Sequence, residues 1–253
     1  MWIWEPQYVY EGDPTKIVFG AQVNGLTHLY VKVGSSVDGV VNTDFLSDLL
    51  PAAHAAGIKV YGWDFPYLDD PDADVARAVD IINFVTSSGD RLDGFSPDIE
   101  TPAEGVNLNA DTLGAYVTGL RAAVGPSYLL VATVPRPTPT RQVFFPYGDI
   151  APYFDAFAPM DYWINVPPED VAAESISWLA QFGRPVMPIG QAYDGSLEGG
   201  PPGTPTYEEL LAFINAANAD GARAVSFWSW QHASDDMWAA IHDGPEVGVN
   251  PAG

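Results

Sequence analysis

The chain has 253 residues, of which 47% are hydrophobic, and it contains no cysteine. Its 33 acidic and 10 basic side chains give a formal net charge of −23, which argues against nucleic acid or an anionic membrane surface as a partner. The lack of cysteine excludes disulfides and thiolate metal sites, and no apolar run is long enough to cross a membrane. A chain of this length suits one large α/β barrel or two small domains.

The first predicted elements are a short strand at Trp2-Ile3-Trp4 and a helix that begins at Asp13-Pro14 and stops at Asn24-Gly25. The same succession of apolar strand, loop and amphipathic helix then repeats along the chain. The further predicted strands cover residues 28–33, 59–63, 95–99, 128–133, 156–160, 186–189 and 224–228. The further predicted helices begin at 43 or 44 and end at 56, and cover 71–88, 109–124, 169–182, 207–220 and 235–241, with a short helix near 150–153.

Eight strand–helix units predict a single (β/α)8 barrel domain over residues 1–253 rather than an open doubly wound sheet. No glycine-rich phosphate-binding fingerprint follows the first strand, which argues against a dinucleotide fold. The Gly- and Pro-rich stretch 195–205 is predicted to be a long loop on the catalytic side of the barrel. The tail from about residue 245 is expected to be frayed.

The most informative stretch is Leu92-Asp93-Gly94-Phe95-Ser96-Pro97-Asp98-Ile99-Glu100, an apolar strand that ends in two carboxylates. Side chains two apart on a strand share a face, so Asp98 and Glu100 are predicted to lie side by side. Two such acids repel each other unless one takes up a proton, and acid–base chemistry uses that arrangement. Glu100 is therefore the predicted acid, and Asp98 its partner.

In (β/α)8 barrels the active site lies at the carboxyl ends of the strands. Here those ends are rich in acids, amides and aromatic rings, which is typical of a carbohydrate site. The candidate substrate-binding residues are Trp4, Trp63, Asp64, Asp161, Tyr162, Gln191 and Trp228. Trp228 and Trp230 stand on either side of Ser229 at the end of the last predicted strand, and we predict that Trp228 faces the lumen and Trp230 the helices.

A resemblance to a known family rests on three of these strand ends. The run from Asp93 to Glu100 resembles the DGxDxDxE signature of family-18 glycoside hydrolases, with Ser96 standing where the signature has Asp. Met160-Asp161-Tyr162-Trp163 is similar to that family's MxYD, with Trp163 in place of the final Asp, and Trp228 matches its strand-eight tryptophan. The family-25 lysozymes, which also carry a DxE on strand four, are a second relative.

The resemblance implies retaining hydrolysis in which a substrate acetamido group acts as internal nucleophile. Glu100 would protonate the glycosidic oxygen, Asp98 would orient and support the acetamido group, Tyr162 would hold it, and Trp228 would form the floor of a sugar subsite. Asp161 is a possible substitute for the acid missing at position 163.

No metal or cofactor is predicted, because the four histidines are scattered and show no HExxH spacing. The sequence also lacks the nucleophile-elbow serine motif. The expected partner is a carbohydrate substrate, and the chain is expected to be a monomer. The N-terminus lacks the pattern of a signal peptide, so the chain is expected to be cytoplasmic or a domain of a secreted protein. Two alternatives stay open: a non-catalytic sugar-binding barrel, and a lyase or isomerase that uses Lys32.

Overall fold

The computed structural model describes residues 1–163 and 166–248. Its strands are β1 (Trp2–Ile3), β2 (His28–Ser35), β3 (Gly39–Val40), β4 (Lys59–Phe65), β5 (Gly94–Pro97), β6 (Val131–Pro135), β7 (Ala156–Asp161), β8 (Ile189–Gln191) and β9 (Ser226–Trp228). Its helices are α1 (Pro14–Val23), α2 (Thr43–Ala55), α3 (Pro71–Ile82), α4 (Ala110–Val124), α5 (Arg141–Phe144), α6 (Tyr147–Ile150), α7 (Pro168–Leu179), α8 (Tyr207–Ala219) and α9 (Asp235–Asp243).

Strands other than β3 form two parallel sets, β1-β2-β4-β5 and β6-β7-β8-β9. The isolated pairs Phe95–Leu130 and Asp98–Thr133 connect β5 to the sixth strand region, and Trp2 Nε1 donates a 2.8 Å hydrogen bond to Ser226 Oγ between β1 and β9. The predicted (β/α)8 architecture is confirmed, although backbone pairing among the described residues does not close the barrel continuously. The short β3, which the sequence did not predict, pairs antiparallel with the end of β2.

Alternation along the strands separates two apolar layers. On β2, Tyr30 packs inside the barrel against residues such as Trp2 and Trp63, whereas Leu29 and Val31 pack in the layer between strands and helices. Phe95 of β5 likewise belongs to the outer layer, so the residues at positions 96 and 98 face the lumen. This alternation decides which strand-end side chains can meet a ligand.

Helix starts follow the side-chain chemistry that the sequence indicates. Asp13 accepts hydrogen bonds from the backbone N–H groups of Thr15 and Lys16, and Asp70 accepts one from Ala73. Because each aspartate precedes a proline at the first helical turn, orphan donors are satisfied where the helix begins. The predicted start of α2 at Thr43 or Asp44 is also confirmed, since the helix begins at Thr43.

The predicted helix over 71–88 is too long, because α3 ends at Ile82. Thr86 Oγ1 accepts a 2.9 Å hydrogen bond from the Asp90 N–H, and Ser88 Oγ donates a 2.6 Å bond to the Asp90 carboxylate. Such short polar side chains offer the backbone partners that compete with a helix, so the segment forms a turn instead.

Three strands begin two or three residues later than predicted, since β6, β8 and β9 begin at Val131, Ile189 and Ser226. The tail that is expected to be frayed begins at about residue 245, and its residues 249–253 lie outside the described residues. Among the described residues, no helix is long and apolar enough to span a membrane.

Candidate active site

The carboxyl end of β5 is held between its two neighbours by backbone hydrogen bonds. The Asp98 N–H donates to the Asp64 carbonyl at 2.8 Å, and the Ile99 N–H donates to the Thr133 carbonyl at 3.0 Å. The chain therefore continues in extended form past the strand's last residue, Pro97, and brings Asp98 and Glu100 to the same cavity. Both acids predicted to be catalytic are half-buried there.

The cavity has a volume of about 440 Å³ and opens at the carboxyl ends of the strands. Its walls are aromatic and acidic, with one lysine among the described residues. It is lined by Trp2, Trp4, Lys32, Ser35, Val37, Asp38, Trp63, Phe65, Tyr67, Asp98, Glu100, Glu104, Thr133, Met160, Tyr162, Ile189, Glu198 and Trp228. A cleft of this size that combines several aromatic rings with convergent polar groups is typical of a small-molecule or oligosaccharide site.

Four tryptophans form a continuous aromatic wall. The ring centroids of Trp63 and Trp228 lie 5.3 Å apart, and those of Trp2 and Trp63 lie 5.7 Å apart. Trp4 extends the wall toward solvent, with its ring 6.3 Å from Trp228. Trp228 lines the cavity, whereas Trp230 is buried between strand and helix and contacts Trp238. These faces suit the C–H surfaces of sugar rings.

The two acids have strongly altered proton affinities. Burial, followed by the nearby Glu104, raises the pKa of Glu100 to about 7. Burial, followed by the charges of Glu100 and Glu198, raises the pKa of Asp98 well above its ordinary value. Asp98 Oδ1 is buried and has no hydrogen-bond partner among the described residues. The pair consequently retains protons near neutral pH, which suits a general acid.

Ser96 lies one lumen position below Asp98, where the family-18 signature has an acid. It is fully buried, and its Oγ donates a 2.9 Å hydrogen bond to the Val131 carbonyl and lies 2.7 Å from Thr133 Oγ1. These neutral partners satisfy a hydroxyl but would not neutralise a carboxylate. The departure at position 96 is therefore matched by its surroundings.

Tyr162 is half-buried at the cavity, and its ring meets Tyr193 edge to face at a centroid distance of 5.2 Å. Burial, followed by the phenol of Tyr193 and the nearby acids, raises the pKa of Tyr162 well above its ordinary value. Its hydroxyl group thus remains protonated and can donate a hydrogen bond to a ligand.

Three predicted substrate-binding residues lie outside the cavity lining, which corrects the expectation for them. Asp64 is fully buried and accepts a 2.8 Å hydrogen bond from Arg77 Nη2 on the outer side of β4. Asp161 is fully buried and accepts a hydrogen bond from Ser175 of α7. Each follows or precedes a lumen-facing aromatic residue, so strand alternation turns its side chain toward the helices.

The Gln191 side chain also forms hydrogen bonds within the protein. Its Oε1 accepts a 3.2 Å hydrogen bond from the Trp163 N–H, and its Nε2 donates a 3.1 Å bond to the Tyr193 carbonyl. With both ends of the amide occupied, Gln191 supports the loops beside Tyr162 and Tyr193 instead of lining the cavity.

Sequence reasoning missed Glu198, Glu104, Tyr67 and Asp38 as cavity residues. Glu198 lies in the long loop that the sequence located on the catalytic side, and this was the only available signal for it. Lys32 Nζ donates a 3.1 Å hydrogen bond to Asp38, so it lacks the unpaired apolar surroundings that a Schiff-base lysine needs. Among the described residues, no group of three or more His, Asp or Glu is arranged to hold a metal ion.

No protein-family model matches the chain. No curated protein matches it in sequence. Solved structures do match. A class V chitinase from Pseudomonas fluorescens Pf-5 is 15% identical, with 96% of this chain and 98% of that chain covered and a TM-score of 0.67.

The family-18 chitinase ChiB from Flavobacterium johnsoniae is 14% identical, covering 95% of this chain and 91% of its own, with a TM-score of 0.63. The spore cortex-lytic enzyme SleL of Bacillus megaterium QM B1551 is 12% identical, with 93% of this chain and 71% of that chain covered and a TM-score of 0.60. These similarities confirm at the level of the fold that the chain resembles the barrels of family-18 and other glycoside hydrolases.

Proposed function

We propose that this protein is a glycoside hydrolase that cleaves a polysaccharide or glycan in the aromatic cavity, with Glu100 as general acid and base. The observation that carries the proposal is a carboxyl group with a pKa of about 7 at the end of the fourth barrel strand, beside a wall of tryptophans. About half of such groups carry a proton at pH 7, so donation to a leaving group is possible where hydrolysis needs it.

In the first step, protonated Glu100 donates its proton to the glycosidic oxygen as the bond from that oxygen to the anomeric carbon breaks. Positive charge then develops on the sugar ring, and Asp98, whose buried Oδ1 has no protein partner among the described residues, accepts a hydrogen bond from the acetamido N–H and orients that group. A substrate acetamido oxygen attacks the anomeric carbon, and Tyr162 donates a hydrogen bond that holds this group in place. The aromatic wall orients the ring through its apolar face.

In the second step, ionised Glu100 removes a proton from water, which attacks the anomeric carbon and releases the acetamido group. Two successive displacements return the original configuration, so the reaction is retaining. The acid that gave the proton thereby regains it. A pKa near neutral suits both halves, because the same carboxyl group acts first as acid and then as base.

The second candidate is a sugar-binding barrel without hydrolytic activity. It is favoured by Ser96 and Trp163, which stand where two acids of the family-18 signature are expected. Both candidates use the same cavity and the same tryptophans, and they differ only in the work assigned to Glu100.

A substrate screen with a matched variant separates them. Wild type and Glu100→Gln are incubated with chitin-, peptidoglycan- and arabinan-type oligosaccharides, and release of reducing ends and binding are both measured. We expect wild type to cleave the chitin type, since the substrate then carries the acetamido group, and Glu100→Gln to bind it without cleavage. Binding by both proteins with cleavage by neither would support the sugar-binding protein instead.

A further inference from the structure

The loop after β8 is tied at its base by one carboxylate. Asp194 Oδ1 accepts from the Ser196 N–H at 2.9 Å, while its Oδ2 accepts from the Gly203 N–H at 3.3 Å and from Thr204 Oγ1 at 3.1 Å. The backbone adds a 3.0 Å hydrogen bond from Gly195 to Gly203. A loop whose two ends are joined in this way has fewer conformations open to it, so the residue at its tip has a defined position.

That residue is Glu198, which lines the cavity. Its Oε1 accepts a 2.9 Å hydrogen bond from the indole Nε1–H of Trp228, and the structure assigns no protein partner to Oε2 among the described residues. The rest of the Trp228 ring touches other tryptophans edge to face or at a tilt. Such contacts tolerate rotation of the ring, whereas a directed hydrogen bond to its one polar atom does not.

We propose that Glu198 is a positioning and specificity residue of this cavity: one carboxylate oxygen fixes the plane of Trp228, and the other accepts a hydrogen bond from a hydroxyl group of the sugar bound on that plane. The inference rests on the proposed function, since it concerns the same substrate. A bidentate role of this kind selects a sugar that presents a hydroxyl group to Glu198 Oε2 when its apolar face lies on Trp228, and rejects one that lacks this hydroxyl group.

Glu198 also acts on the acids at a distance. Its negative charge contributes to the raised pKa of Glu100, after the larger effects of burial and Glu104. Removing that charge lowers the pKa of Glu100, so the alkaline limb of the kcat/KM profile moves to lower pH. Glu104→Gln is the matched control, because Glu104 faces the same acid but makes no hydrogen bond to Trp228 in the described structure.

The test is a double-mutant cycle between Glu198→Ala and Trp228→Phe, read as the Kd of a chitin-type hexasaccharide by calorimetry in the Glu100→Gln background. We expect Glu198→Ala alone to weaken binding about tenfold, because the hydrogen bond to the sugar hydroxyl group and the fixed plane of Trp228 are lost together. In the Trp228→Phe background, which lacks Nε1–H, the same change is expected to cost about threefold or less. Glu198→Gln keeps an acceptor for the indole, so we expect it to restore most of the affinity in this background and, in the enzyme with Glu100 intact, still to move the alkaline limb of the kcat/KM profile.

Equal losses in both backgrounds would overturn the proposal, as would a Glu198→Gln variant as weak as Glu198→Ala. Because Glu198 is exposed and Asp194 ties the loop, the melting temperature of each Glu198 variant should match that of the protein in which the substitution is made. The two proposals fail separately. A coupled cycle in a protein that cleaves no sugar would refute the hydrolase but not the role of Glu198, and an additive cycle in an active enzyme would refute only the latter.

Discussion

Glu100→Gln should make the protein more stable at alkaline pH while it sharply lowers hydrolytic activity. In the unfolded chain the Glu100 carboxyl group has a pKa of 4.5, whereas in the folded protein burial and Glu104 raise it to about 7. At 1.36 kcal/mol for each pH unit, the difference amounts to about 3 kcal/mol. Ionising this group in the folded protein therefore costs stability that a neutral amide of the same shape does not lose.

The direction in which the free energy of unfolding changes with pH follows from proton linkage. Because the folded pKa is higher than the unfolded one, the proton's contribution to stability is complete below pH 4.5 and is lost as the pH rises through about 7. The Gln side chain has no group that titrates over this pH range. We expect the free energy of unfolding of Glu100→Gln to exceed that of wild type by up to about 3 kcal/mol at pH 9, and the excess to vanish near pH 4.

Urea denaturation of both proteins at pH 4.5, 7 and 9 measures the difference, and reducing-end release at pH 7 measures activity. Loss of a general acid predicts a fall in kcat of about 10²- to 10⁴-fold. Glu208→Gln is the control, because Glu208 is exposed on α8 and does not line the cavity, so its effect should not grow with pH. A Glu100→Gln protein with the same excess stability at pH 4.5 and pH 9 would refute the buried-acid reasoning.

Two further predictions concern buried polar groups. Arg77→Met should lower the free energy of unfolding, measured in urea at pH 8, by about 3–5 kcal/mol, because Asp64 and Asp74 lose their guanidinium partner inside the protein. The control is Lys16→Met, which removes a surface ion pair in which Lys16 is 57% exposed and should cost less than about 1 kcal/mol. Similar losses would contradict the argument. Ser96→Asp, which restores the family-18 acid, should cost about 2–4 kcal/mol at pH 7. It buries a carboxylate among neutral partners, so it should be less stable than Ser96→Ala, which loses the same hydrogen bond to the Val131 carbonyl but buries no charge. If Ser96→Asp is the more stable of the two, the site accommodates an acid after all.

Local chemistry made much of the fold and the central acids predictable. The aspartates before Pro14 and Pro71 start helices whatever surrounds them, because a cap needs only its own first turn. The repeat of strand and helix gives the barrel, and the spacing of Asp98 and Glu100 gives a shared face. These features depend on neighbours within a few residues.

Which side chain at a strand end faces the cavity was harder to predict, because two adjacent residues were both candidates. Trp63 and Asp64 were both candidates, yet successive strand residues point to opposite sides, so only Trp63 reaches the cavity. The same rule separates Tyr162 from Asp161. A change of one residue in register would exchange the members of each pair, and only packing against the helices decides between them.

The sequence by itself determined that a barrel carries two acids and several tryptophans at the ends of its strands. Only the tertiary structure decided that Glu100 is buried enough to keep a proton near pH 7, since that depends on the cavity walls and on Glu104. It also decided that Glu198 meets Trp228, thirty positions apart in the chain. Burial and contacts between distant residues arise from the packing of the whole barrel, and no local pattern encodes them.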